Sequence, residues 1–159
     1  MNAPFAGTLS DEVDLGDLAE SIGFLMRLAQ VRLFGQFFEA FEGTDVRPGE
    51  MTVLWVIDIN PQVRQGTLAA TLNIKPAHMT KLVQRMVRDG LVRREVPASD
   101  RRSVHLELPP AGKAHLERHR PAFLTVHCAE RVGLSADEYA TLLTLIRKIA
   151  LIKEPAACP

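Results

Sequence analysis

The sequence predicts a mainly α fold with one small β-hairpin, on three observations. Apolar residues recur at helical spacing through most of the 159 residues. Only two strand-like pieces stand out, residues 91–96 and 103–108, joined by a charged loop. The charge is also uneven. Residues 1–63 hold 3 Lys/Arg against 10 Asp/Glu, residues 64–102 hold 9 against 3, and residues 103–159 hold 7 against 6. A chain of formal net charge zero thus has a basic centre, the footprint of a local phosphate-binding face.

The elements follow in order. Residues 17–41 read as a long helix, with Leu18, Ile22, Leu25, Ala29, Leu33 and Phe37 on one stripe. Asp14 and Asp17 are candidate N-caps, and Glu20 three residues after Asp17 suggests a capping box. A second stripe of Phe24, Leu28, Val31, Phe34, Phe38 and Phe41 exceeds what a surface helix needs, so a partner chain or a ligand is expected there. Pro48 suits the first turn of a second helix, which must stop before Asn60–Pro61. A short helix over about 66–72 and a turn at Asn73–Ile74 lead to a helix over about 76–89. Met79, Leu82, Val83 and Met86 form its buried stripe, and Gly90 is its C′ residue. After the hairpin, Pro109–Pro110 open a helix to about Val132 with a kink at Pro121. Ser135 and Glu138 form a capping box for the last helix, which carries Tyr139, Leu142, Leu143, Leu145, Ile146 and Ile149. The tail EPAACP is expected to be disordered.

Several classes are disfavoured. No apolar run reaches the ~18 residues of a membrane span. The first residues have neither a basic nor an apolar leader region, and Cys128 and Cys158 make no disulfide framework, so a cytoplasmic protein is expected. The chain has no G-x-S-x-G, P-loop, G-x-G-x-x-G or H-E-x-x-H, so no enzyme chemistry and no cofactor are expected.

A short helix, a tight turn and an amphipathic helix make a helix-turn-helix, whose second helix can enter a DNA major groove. The apolar stripe of KPAHMTKLVQRMVRD leaves Ala77, His78, Thr80, Lys81, Gln84, Arg85 and Arg88 on the other faces, with Lys75 just ahead. Lys81 and Arg85 can donate to guanine edges or phosphates, His78 and Thr80 to phosphate, and Ala77 can meet a thymine methyl. The plainer alternative is a solvated basic face. The hairpin favours DNA: Arg101 and Arg102 at its tip can reach a narrow minor groove, with Asp100 holding the loop or an arginine in shape.

The stretch from RPGEMTVLW to the wing resembles the multiple antibiotic resistance regulator (MarR) family of winged helix-turn-helix proteins. The matching pieces are LAATLNIKPAHMTKLVQRMVRDGLVRR, the D-x-R wing motif at Asp100–Arg102, SVHLEL, PPAGKAHLE and Ser135-x-x-Glu138. Pro109 stands where the family usually has threonine, and Ala77–His78 where it often has Ser-Thr. The resemblance covers about residues 18–150. It implies a homodimer with N- and C-terminal dimerisation helices, residues 1–45 and 110–159, around a DNA-binding region, residues 46–109. It also implies a pseudo-palindromic double-stranded operator, with Arg102 as the wing arginine and Asp100 as its partner.

The resemblance further implies a repressor released by a small aromatic acid or an aryl- or acyl-CoA. Arg27 and Arg32 are the only charges between Glu20 and Glu39, and either can clamp a carboxylate. Phe24, Leu28, Trp55 and Ile59 are candidate walls and Phe123 a candidate lid. Core packing, with arginines paired to the acidic N-terminal segment, is the alternative. His115, His119 and His127 invite a metal reading, but Glu117, Arg118 and Arg120 make that stretch look like a solvated face, so no metal is expected. Cys128 and Cys158 read as bystander thiols. The competing functional class is a helical adaptor that binds a protein rather than DNA.

Overall fold

The computed structural model describes residues 13–97 and 103–152. Its described elements are α1 (Ile22–Ala40), α2 (Pro48–Ile59), β1 (Val63–Arg64), α3 (Gln65–Thr71), α4 (Pro76–Arg88), β2 (Arg93–Glu95), β3 (His105–Glu107), α5 (Pro110–Thr125), α6 (Ala129–Val132) and α7 (Ala136–Ile149). The chain is mainly helical with one small antiparallel sheet, as its sequence predicts. None of the described helices is long and apolar enough to cross a membrane.

The packing falls into two compact units. One is Phe37–Phe123; the other joins Met1–Gln36 with Leu124–Pro159. In the first, the core includes Met51, Val53, Leu54 and Ile57 of α2, Leu68 and Ala69 of α3, Met79, Leu82, Val83 and Met86 of α4, and Leu106 of β3. The α4 set is the stripe that the sequence spacing picks out. The sheet has the order β1-β3-β2. Val63 pairs with Leu106 and Arg64 with His105; across the other edge Arg93, Arg94 and Glu95 pair with Glu107, Leu106 and His105. The two hairpin strands are each shorter than their sequence pattern. β1 has two residues, too few to show alternation, and its pairing with β3 defines it.

In the second unit the His127 ring bonds through Nε2 to the Leu33 carbonyl at 2.8 Å, and Gln36 Nε2 donates to the Arg131 carbonyl at 2.8 Å. These bonds tie α1 to the segment around α6. Large apolar side chains remain exposed on this unit: Ile22, Leu25, Met26 and Phe34 of α1, and Leu142, Leu145 and Ile149 of α7.

Three expectations are corrected. The first helix does not run from residue 17: Gly16–Glu20 is a 3₁₀ turn, Ser21 is extended (φ −77°, ψ 111°), and α1 starts at Ile22. Asp17 makes no capping box; Asp14 Oδ1 instead accepts from the Gly16 N–H at 2.9 Å, inside the turn. The helix expected to reach Val132 stops at Thr125, one turn after Pro121 removes a backbone donor, and resumes as the single turn α6 behind an extended Cys128. The tail, residues 154–159, lies outside the described residues.

Candidate nucleic-acid interface

The turn between α3 and α4 is built by one residue. Asn73 adopts a left-handed conformation (φ 50°), which asparagine tolerates better than most residues. Its N–H donates to the Ala70 carbonyl at 3.1 Å, and the Ile74 N–H donates to the Ala69 carbonyl at 2.9 Å. That pair of bonds is a Schellman cap on α3. Pro76 then sits at the start of α4. The far end of α4 closes the same way: Gly90 (φ 73°) donates to Val87 at 3.1 Å and Leu91 to Met86 at 2.8 Å.

Between these caps α4 has two unlike faces. Met79, Leu82, Val83 and Met86 are buried. Ala77, His78, Lys81, Gln84 and Arg88 are exposed, with Lys75 exposed just before the helix. Positions 77, 81, 84 and 88 are three or four apart, so they form one stripe.

Two of the expected contact residues are engaged within the protein. Thr80 Oγ1 donates to the Pro76 carbonyl at 3.0 Å and accepts from Gln65 Nε2 at 3.2 Å, linking the two helices of the motif. Arg85 is only 27% exposed and its Nη2 contacts Glu50 Oε1 in the first turn of α2. Glu50 is buried, and that burial raises its carboxyl above its ordinary range; Arg47 pulls it down while Asp89 and Asp45 add to the rise. The Arg85 guanidinium offsets part of the lost hydration.

The wing tip, with Asp100, Arg101 and Arg102, lies outside the described residues. The base of the wing is described. Arg93 pairs with Glu107 directly opposite it across the sheet, and Gln62 Nε2 reaches Glu107 Oε2 at 2.5 Å and Glu95 Oε2 at 3.3 Å. Beside it a shallow cleft of about 310 Å³ is lined by Arg64, Gln65, Gly66, Thr67, Ser103 and Val104.

The expected effector residues divide between the two units. Phe24 and Leu28 are half-buried and Arg27 and Arg32 exposed on α1, in one unit. Trp55, Ile59 and Phe123 belong to the other. There the Trp55 and Phe123 rings lie 6.0 Å apart, Phe123 meets Phe37 edge-on at 6.1 Å, and Phe37 stacks on Phe41 at 4.5 Å. Ile59 is largely exposed at the end of α2. The His115 and His119 rings are 4.7 Å apart; burial and then the His119 charge push the His115 imidazole below its ordinary value. Among the described residues no three His, Cys, Asp or Glu side chains converge as a metal-binding group.

Sequence reasoning missed two site-forming residues. Glu50 lies four and seven residues before the buried Leu54 and Ile57, a spacing that marks a carboxylate on the core face. Arg120, read as solvated, is indeed exposed, but its guanidinium also lies 4.3 Å from the centroid of the Trp55 ring, a contact the sequence did not suggest. No sequence signal connects α2 to α5 at that point.

The sequence model of the MarR family matches residues 44–103, from just before α2 to the first residue after the wing tip. A protein of Thauera aromatica, named for transcriptional regulation of the hcr operon, is 30% identical over 135 residues, 84% of this chain and 81% of its own length. The repressor CouR bound to a 23-mer DNA duplex has a TM-score of 0.80 at 31% identity, covering 87% of this chain and 99% of that one. CouR bound to p-coumaroyl-CoA has a TM-score of 0.77 at 27% identity, covering 87% and 98%. The resemblance, the exposed polar face of a capped recognition-type helix and these relatives agree: the chain belongs to the MarR family of winged-helix transcriptional regulators.

Proposed function

We propose that the chain is a homodimeric, cytoplasmic repressor that reads a pseudo-palindromic operator and releases it on binding an aromatic acid or an aryl- or acyl-CoA. The observation that carries the DNA half is the α4 stripe of Ala77, His78, Lys81, Gln84 and Arg88, exposed above a buried apolar face. With α4 in the major groove, Lys81 and Gln84 meet base edges while Lys75, His78 and Arg88 meet phosphates. Arg102 and Arg101 enter the neighbouring minor groove, with Asp100 holding the loop or an arginine in shape. In this reading residues 46–109 bind DNA, and residues 1–45 and 110–159 dimerise. The exposed apolar side chains of α1 and α7 support that division. Two subunits would place their α4 helices about one DNA turn, ~34 Å, apart.

The effector half rests on chemistry. Trp55 and Phe123 offer aromatic walls, and Arg27 and Arg32 offer cations for a carboxylate or phosphate. Binding of p-coumaroyl-CoA by CouR favours the thioester class.

A gel-shift titration of the full chain against the DNA upstream of its own gene tests both halves, repeated with p-coumaroyl-CoA, other aryl-CoA thioesters and the free acids. A specific complex is expected, weakening steeply with salt and released by one of the compounds. Binding no stronger than to random duplex would favour the protein-binding adaptor instead.

A further inference from the structure

Arg85 sits among the α4 residues that face DNA in the reading above, yet its side chain turns inward. Its Nη2 contacts the Glu50 carboxylate, its Nε is buried with no hydrogen bond among the described residues, and the side chain is 27% exposed. Lys81 and Gln84, one turn before it and beside it, are exposed. Glu50 is itself fixed: it lies in the first turn of α2 behind Pro48, with its residue 7% exposed. The pair therefore joins the start of α2 to the last turn of α4 through a partly desolvated ionic contact.

We propose that Arg85 is a positioning residue, and that its ion pair with Glu50 sets the pitch of α4 so that Lys81 and Gln84 meet base edges in register. This inference rests on α4 being the DNA-reading helix. A buried ion pair is sensitive to loss of one partner, because the other charge is left unpaired. Loss of both partners together is mild, because apolar side chains of similar volume can fill the space. A base-contacting arginine behaves otherwise: its loss is felt whether or not Glu50 is present.

The test uses the full chain and a duplex enriched by the wild-type protein from a random library. Three proteins are compared with wild type: Arg85→Met, Arg85→Lys, and Glu50→Leu with Arg85→Met. The expected result for Arg85→Met is a loss of about tenfold or more in affinity for the enriched duplex. Binding to random DNA and the salt dependence should stay as in wild type, since no phosphate contact is removed. Arg85→Lys should recover part of the affinity, and the double variant should return to within about threefold of wild type.

Two results would overturn the proposal. A salt slope reduced by about one, with the double variant as weak as Arg85→Met, makes Arg85 a DNA contact. A lowered melting temperature with normal operator affinity in the folded protein makes the pair a stabilising contact only. Failure of the wild-type protein to enrich any duplex is a different result: it removes the DNA reading itself, and this inference with it.

Discussion

A methyl group on Gly112 would lie 2.0 Å from the Leu91 carbonyl oxygen. That distance is far inside van der Waals contact, and the atom it meets is backbone, which cannot swing aside. Gly112 is therefore the residue that lets the first turn of α5 rest on the chain between α4 and the wing. Gly112→Ala is expected to destabilise the protein by ~1–3 kcal/mol, as overpacking does. A melting curve that matched wild type would show that α5 can back away at no penalty. The glycine was legible in PPAGKAHLE as a motif position, but not its reason, since the clash depends on where Leu91 passes. Glu50 was missed although its helical spacing with Leu54 and Ile57 marks the core face, and its partner, 35 positions away on another helix, has no local signal at all.

Element by element, the sequence is most informative where a structure is local. The Ser135 capping box needs only four residues. In the structure Ser135 Oγ accepts from the Glu138 N–H at 3.3 Å, and the Ser135 N–H donates to Glu138 Oε2 at 2.8 Å. The Ser135 N–H and the Ser135 hydroxyl, which donates to the same Oε2 at 2.8 Å, hold the Glu138 carboxyl below its usual range. Ser135→Ala should weaken α7 by about 0.5–2 kcal/mol. Circular dichroism on thermal unfolding would measure it, and no change would mean that packing alone fixes the start of α7. The Asp17–Glu20 pair has the same spacing and forms no such box, because Ser21 turns the chain out of the helix first. The β1 strand was invisible for the converse reason. Two residues carry no period, and only the approach of β3 defines them.

At the scale of the whole molecule, apolar surface is the clearest clue to assembly. Leu142, Leu145 and Ile149 are spaced by three and four residues along α7, and each is more than a third exposed. Core residues would be covered; a row left in water asks for a partner. On the homodimer reading, Leu145→Glu should shift the protein towards monomer in analytical ultracentrifugation. Operator affinity should fall with it, since each monomer keeps only one reading head. An unchanged mass would move the interface elsewhere. The basic centre and the order of the main helices and the hairpin were legible from the sequence because both are one-dimensional properties. Any joint role of the residues expected to hold an effector is not, because it depends on the arrangement of separate parts of the chain.

The small sheet also bears on how the protein behaves in a crowded cell. Its order leaves β1 and β2 as edges. One is two residues long; the other reads Arg-Arg-Glu, with all three residues exposed. Short and highly charged edges are poor templates for an incoming strand. A regulator whose sheet ends in such edges is thereby protected from zipping onto its neighbours into insoluble β-assemblies.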